Sequence, residues 1–156
     1  MGKQVIATEQ LKYGWCRGGK ISHPAPIGAS EVFKDRGSAF VTNDGSGRAE
    51  VAADGTAAIW GHLEVEEITV GATEGAEVRN LIVDPTGVFR SPINSGTYAA
   101  TMLGGTCDLS VSSSIQGVQL DASSEDTVRI VGGDVVNQFW VELMMVDAKR
   151  YNTGVV

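Results

Sequence analysis

Residues 38–55 read SAFVTNDGSGRAEVAADG, two short apolar runs each closed by a turn cluster. Ala39-Phe40-Val41 enters Asn43-Asp44-Gly45-Ser46-Gly47, where Asx side chains and glycine reverse a chain by bonding local backbone and by tolerating positive φ. Arg48–Ala52 returns and meets Asp54-Gly55, a dipeptide favoured in hairpins. Runs this short, closed this often, are strands.

The pattern continues outward. Ala57–Val70 (AAIWGHLEVEEITV) alternates in its second half, with Leu63, Val65 and Glu67 on one face and Glu64, Glu66 and Ile68 on the other. Gly61 inside it marks a bulge or a close backbone approach. Val78–Val83 is a further strand, stopped by Asp84-Pro85-Thr86-Gly87, where proline presets φ and glycine serves a positive-φ position. Tyr98–Leu103 is an apolar run ending at Gly104-Gly105. Cys107–Val111 alternates with Cys107, Leu109 and Val111 inward. Ile115–Leu120, Thr127–Val131 and Gln138–Asp147 are more strands, separated by Asp121–Asp126 and by Gly132-Gly133-Asp134. Turn signals at this spacing predict a mainly β chain, an antiparallel β-sandwich or barrel. The segment 85–97 is the expected junction between sub-units 37–84 and 97–147 of a β domain spanning 37–156.

Phe139–Val146 (FWVELMMV) is apolar on both faces apart from Glu142. Such a strand is central to a sandwich or covered by another subunit. Phe139, Trp140, Leu143 and Met145 are therefore expected in the core or at an oligomer interface.

Residues 1–36 read differently. Lys3–Thr8 suits a short strand, and then Gly14, Gly18, Gly19, Pro24, Pro26 and Gly28 interrupt helix and ladder alike. The expectation is an extended N-terminal arm; the other reading is a strand pair packed on the core. A separate arm would be removable, so deleting residues 2–20 should leave the β body folded.

The net charge is −7, against general nucleic-acid binding, which needs clustered cations. The leader carries +3 and the rest −10, so the leader is suited to an acidic surface. Cys16 and Cys107 lie in no CxxC pair, and two thiols in a reducing cytoplasm are favoured over a bridge. Met1–Gln10 lacks the apolar region of a signal peptide, and no apolar run reaches the roughly 20 residues of a membrane span. Neither a nucleic-acid nor a membrane partner is expected.

Catalytic signals are sparse. His23 and His62 read as structural or surface residues, having no orienting carboxylate beside them. Glu64, Glu66 and Glu67 read as a solvated face, with a hard-cation site as the alternative. No serine sits in GxSxG, and the Gly-rich pieces lack the Lys-Ser/Thr of a phosphate loop. Asp35-Arg36-Gly37-Ser38 resembles the Arg-Gly-Ser motif of trimeric dUTPase-like nucleotide pyrophosphatases, but the uracil-recognition strand and Gly-rich C-terminal arm of that family are missing. The expectation is a protein that is not an enzyme, with no cofactor and no metal.

Across about residues 37–147 the pattern resembles the capsid decoration (cement, head-stabilisation) proteins of tailed bacteriophages. The resemblance rests on the Gly-rich leader, the turn-and-strand run Asn43–Leu63, and Gly105-Thr106-Cys107-Asp108-Leu109 followed by Ile115-Gln116-Gly117-Val118. It implies a compact β module, often trimeric, made in the host cytoplasm and carried on the capsid surface of the virion. Its partners would be the major capsid protein and copies of itself. No binding residue carries over from that family. The charge and apolar pattern of the leader instead assigns the shell contact to Lys3, Val5, Ile6, Lys12, Trp15, Arg17 and Lys20. The alternative is a carbohydrate-binding or tail/fibre-associated module using Trp15, Trp60 and Trp140.

Overall fold

A computed structural model of the chain describes residues 13–34, 37–53, 58–64, 68–69, 75, 77–121 and 127–146. Fourteen strands occur among them: β1 Gly14–Arg17, β2 Ser22–Pro26, β3 Val32–Phe33, β4 Phe40–Asn43, β5 Ala49–Val51, β6 Gly61–Leu63, β7 Ile68–Thr69, β8 Val78–Ile82, β9 Val88–Ser91, β10 Ile93–Ser95, β11 Thr106–Ser112, β12 Ile115–Gln119, β13 Val128–Gly133 and β14 Val141–Met145. They form a seven-stranded sheet in the order β1-β9-β14-β13-β11-β12-β10, a five-stranded sheet β2-β8-β6-β4-β5, and the pair β3-β7. Pairing is antiparallel except for the named pair β10–β12. The chain is a β-sandwich, as the turn spacing predicts.

The two larger sheets meet over one apolar layer. Phe40, Ile59 and Ile82 from the five-stranded side pack against Phe89, Leu109, Val118, Val128, Val141 and Leu143 from the other. Alternation gives the five-stranded sheet a second buried face, where Val41, Leu63 and Leu81 pack with Phe33 of β3 and Ala25 of β2. Gly61 is the close approach its position suggests: a Cβ there would fall 2.6 Å from the Ile82 carbonyl oxygen.

Residues 14–26 and 78–90 form one antiparallel ribbon that belongs to both sheets. Pro26 pairs with Val78 and Ser22 with Ile82 in the five-stranded sheet. Arg17 pairs with Val88 and Gly14 with Arg90 in the seven-stranded one. Between them both segments bend together from sheet to sheet, a corner of the kind that joins packed sheets. The corner needs glycine for space. A Cβ on Gly18, whose φ is +82°, would lie 2.1 Å from the Thr86 carbonyl oxygen, and one on Gly87 would lie 2.9 Å from the Gly19 carbonyl oxygen. Gly87 does not take the positive φ expected of it; it is glycine because the leader passes so close. Asp84 locks the corner, its carboxylate accepting the Thr86 N–H (2.9 Å), the Thr86 hydroxyl (2.7 Å) and the Ile21 N–H (3.3 Å).

From Tyr13 to Lys34 the leader is thus extended but built into the sheets. Deleting residues 2–20 would remove β1 and half the corner, so the β body is not expected to survive that cut unchanged. The strand Lys3–Thr8 lies outside the described residues. The 85–97 segment is where the chain passes into the seven-stranded sheet; it supplies β9 and β10.

Three local expectations change. Tyr98–Leu103 is not a strand but holds a 3-10 turn at Ala100–Met102, with Tyr98 alone buried. Gly132-Gly133 are the last two residues of β13 rather than part of the turn that follows it, and side chains lie against them: a Cβ would meet the Glu142 carboxylate at 2.7 Å and the Tyr98 ring at 2.5 Å. Val111 is 41% exposed, not inward, because it lies toward the tip of the β11–β12 hairpin.

A glutamine side chain closes the other side of the sandwich. Gln116 of β12 accepts the Phe40 N–H (2.8 Å) and donates to the carbonyls of Phe40 (2.7 Å) and Ala52 (2.8 Å). The amide acts as a short piece of strand bridging the layers. Gln116→Leu should destabilise the fold by about 2–3 kcal/mol, since it leaves buried backbone groups unpaired. Gly18→Ala should cost a similar amount through overpacking and strain. Chemical denaturation checks both; midpoints equal to wild type would refute them.

Candidate functional site

A cleft of about 300 Å³ opens where β1 passes β6 and the segment leading into β4; its walls include Tyr13, Trp15, Lys20, Lys34, His62 and Glu64. His62 is 4% exposed. Its ring stacks on Phe89 (4.4 Å between centroids) and meets Phe40 edge-on (4.8 Å). The Ala39 N–H donates to Nε2 at 3.2 Å, and the Ser38 hydroxyl lies 3.1 Å from the same nitrogen. With Nε2 accepting a backbone donor, the ring proton belongs on Nδ1, a tautomer assigned from the hydrogen-bond network. Among the described residues Nδ1 has no partner.

Burial holds the His62 pKa down at about 3. The ring stays neutral at ordinary pH, and its one lone pair is already engaged. Ser38 and His62 therefore lack what a nucleophile–base pair needs, a basic imidazole oriented by a third group. Of the two settings expected for it, structural or surface, His62 is not at the surface. Asp35 and Arg36 of the Arg-Gly-Ser stretch lie outside the described residues.

The rim is charged and aromatic. Lys20 pairs with Glu64 at 2.7 Å and sits 4.8 Å over the Trp15 ring. Trp15 is 38% exposed and pinned by its Nε1–H bond to the Gly19 carbonyl (3.0 Å). Lys34 is exposed and meets no carboxylate among the described residues.

A second cluster lies on the outer face of the seven-stranded sheet. Val141, Leu143 and Met145 of β14 point into the core, so Glu142 points away from it. Its carboxylate takes Arg17 of β1 at 2.6 Å and Arg90 of β9 at 3.3 Å, and Gly132 leaves room beside it. Arg90 also lies 4.3 Å over the Trp140 ring. The Cys16 thiol sits 3.8 Å from Glu142, and burial, then the Glu142 charge, push its pKa up. Cys16 and Cys107 are not joined in a disulfide.

The residues singled out in the sequence scatter among these settings. Leu143 and Met145 are core. Phe139 and Trp140 are half-buried just ahead of β14, the Phe139 carbonyl accepting the Tyr13 hydroxyl at 3.0 Å. Trp15 and Lys20 line the cleft, while Arg17 belongs to the Glu142 cluster. Lys3, Val5, Ile6 and Lys12 lie outside the described residues, as do Glu66 and Glu67. Trp60 packs on the second core, so the three tryptophans do not share one setting. Among the described residues no group of three or more His, Cys, Asp or Glu is placed to hold a metal. Comparison with protein-family models, curated proteins and solved structures finds no match to the chain.

Sequence reading missed Tyr13, Lys34 and Ser38 as walls of one cleft. Ser38 is the serine of the Arg-Gly-Ser stretch, but nothing local indicates that β1 lies across it.

The His62 pKa sets a pH dependence. The unfolded ring takes a proton near pH 6.5 and the folded ring only near 3. Between those values the unfolded state binds more protons, so stability falls as pH falls, by at most about 1.4 kcal/mol per unit from this group. His62→Gln keeps an acceptor for the Ala39 N–H and should flatten that part of the profile. Urea midpoints at several pH values from 4 to 7 test it; parallel profiles would be the contrary result. In the other cluster, Glu142→Gln removes a charge that opposes the Cys16 thiolate. It should speed alkylation of Cys16 several-fold at pH 8, followed by mass spectrometry, and an unchanged rate would contradict the assignment.

Proposed function

We propose that the chain is a structural, protein-binding module that decorates the outer surface of a phage head and stabilises it, acting as a homo-oligomer, with a trimer favoured. The observation that carries this reading is the tip between β13 and β14. Asp134 accepts the N–H groups of Val136 (3.2 Å) and Asn137 (3.0 Å), and the Gln138 side chain donates to the Val135 carbonyl (3.1 Å). That turn is locked, yet it exposes Val135 by 54% and Val136 by 87%. A pre-ordered apolar projection suits docking on another protein, since little conformational freedom is lost on contact.

The buried polar groups support the same reading. Gln116, Asp84, His62 and Glu142 all hold strands or turns in place. A module that works by shape and by many copies per particle gains from rigidity and avidity. Arg17 and Lys20 are engaged by Glu142 and Glu64. They contribute less free charge to a shell contact than the leader composition implies.

The test is co-sedimentation of the purified chain with expanded heads that lack it, at low and moderate salt. Saturable binding at a fixed copy number is expected. Val136→Asp should lower occupancy at least about tenfold, while its melting temperature matches wild type because Val136 touches neither core. Absence of binding at both salts would remove the capsid reading.

A further inference from the structure

We infer that the docking face is the whole end of the seven-stranded sheet around the β13–β14 tip, with Leu103 as a second anchor beside Val135 and Val136, and that the shell protein meets it with apolar sockets. This rests on the capsid reading and extends it.

A tip of two valines is small for the task. A specific, stable protein contact uses roughly 20–30 residues a side, so the contact must spread over the surface next to the tip. The topology shows what lies there. Thr106 pairs with Arg129 and Cys107 with Val128. The residues ahead of β11 run on beside β13, the Gly105 carbonyl accepting the Ile130 N–H (2.8 Å) and the Gly104 N–H donating to the Ile130 carbonyl (2.8 Å). Leu103 therefore stands on the tip side of the sheet. From Ile130 to Asp134 is four residues, about 13 Å of extended chain. Of the seven large apolar side chains exposed among the described residues, three gather at this end: Leu103, at 52%, and the two valines of the tip. Trp15, Ile21 and Val78 lie on the leader or the five-stranded sheet, and Val111 lies toward the β11–β12 tip at the opposite end.

One side chain makes these anchors a unit. The Gln138 amide accepts the Tyr98 N–H (2.7 Å) and donates to the carbonyls of Tyr98 (3.0 Å) and Val135 (3.1 Å). It ties the tip to the segment that carries Leu103. Gln138 does so at a φ of +59°, a conformation that strains a residue other than glycine. The 3-10 turn Ala100–Met102 buries none of its residues. Its bonds, Met102 N–H to the Ala99 carbonyl (2.9 Å) and Leu103 N–H to the Ala100 carbonyl (3.2 Å), fix a surface instead of a core. Apolar groups held at a set spacing lose little freedom on docking.

The partner's chemistry follows from what this end leaves free. The Asp134 carboxylate accepts the N–H groups of Val136, Asn137 and Phe139, and the Arg129 guanidinium donates to the Gly104 carbonyl (2.6 Å). These charges are engaged locally, whereas Leu103, Val135 and Val136 face outward.

The experiment is a set of binding isotherms on expanded heads that lack the protein, with full-length wild type, Leu103→Asp, Leu103→Ala, Val111→Asp and Ile21→Asp. Leu103→Asp should weaken binding at least about tenfold and Leu103→Ala at least about threefold. Both should melt with the wild type, because Leu103 belongs to neither core. Val111→Asp and Ile21→Asp, which lie elsewhere, should stay within about twofold, and wild-type affinity should change less than about threefold from low to moderate salt. If the wild type binds and both Leu103 variants bind equally well, the inference falls and the capsid reading stands. The same holds if Val111→Asp weakens binding as much as Leu103→Asp does. A loss of about tenfold or more with salt would put the contact on charges and overturn the apolar partner. A wild type that does not bind removes the capsid reading and the inference together.

Discussion

The structure depends on one ribbon bent across a corner. Residues 14–26 and 78–90 stay hydrogen-bonded to each other while leaving one sheet and entering the next. This fixes the register of both sheets relative to each other, which apolar packing alone does not do, because the hydrophobic effect has no direction. The bend is possible because backbone meets backbone at Gly18 and Gly87 with no Cβ between, and because Gly19 leaves room for the Asp84 and Thr86 side chains. Both sites described above follow from it. β1 carries Trp15 to the mouth of the cleft and Arg17 to Glu142.

Around that ribbon, buried polar groups act as structural members rather than reagents. Gln116 reproduces a strand's donor and acceptor across the layers, and Gln138 does the same for Tyr98, accepting its N–H at 2.7 Å and donating to its carbonyl at 3.0 Å. Asn94 donates to Ser110 and to the Ile115 carbonyl over the bare face of Gly117. Each replaces a ladder bond where strands are too short to supply one. His62 is the exception: Nε2 is satisfied, whereas Nδ1, itself shut off from solvent, has no partner among the described residues. The charges follow the same economy. Glu142 is buried but flanked by two arginines that still reach solvent, so neither sign is stranded.

Much of the fold was legible in the chain. Asn43–Gly47, Asp84–Gly87 and the alternation in Val78–Val83 mark strands and turns by local chemistry, and local chemistry is what a sequence displays. Gly61 was readable as a close approach for the same reason. The failures are long-range. Val111 looks inward by period but lies near the end of its hairpin. The tip of that hairpin places Ser113 and Ser114 at φ of 51° and 66°, where Asn-Gly would have announced the turn. Gly132-Gly133 resembled a turn because the side chains that need their bare faces, Glu142 and Tyr98, are distant in sequence. The leader looked like an arm because the partner strands of β1 and β2 lie more than 50 residues downstream. The cleft was illegible for that reason: its walls come from residues 13–15, 20, 33–34, 37–39 and 62–64, brought together by the ribbon and by the pairing of β4 with β6.

The corner also has a consequence in time. Gly14 and Arg90 are partners although 76 residues separate them, and even Pro26 and Val78 are 52 apart. Loops of that length are entropically costly to close before other contacts exist, and topologies rich in such pairings fold slowly. The hairpins β4–β5 and β11–β12 need only local closure and can form early. Residues 14–26 leave the ribosome before their partners at 78–90 and are then among the last to find their place. Until they do, the β8 and β9 edges lie open, and the protein's most exposed moment comes just before the seam is sewn.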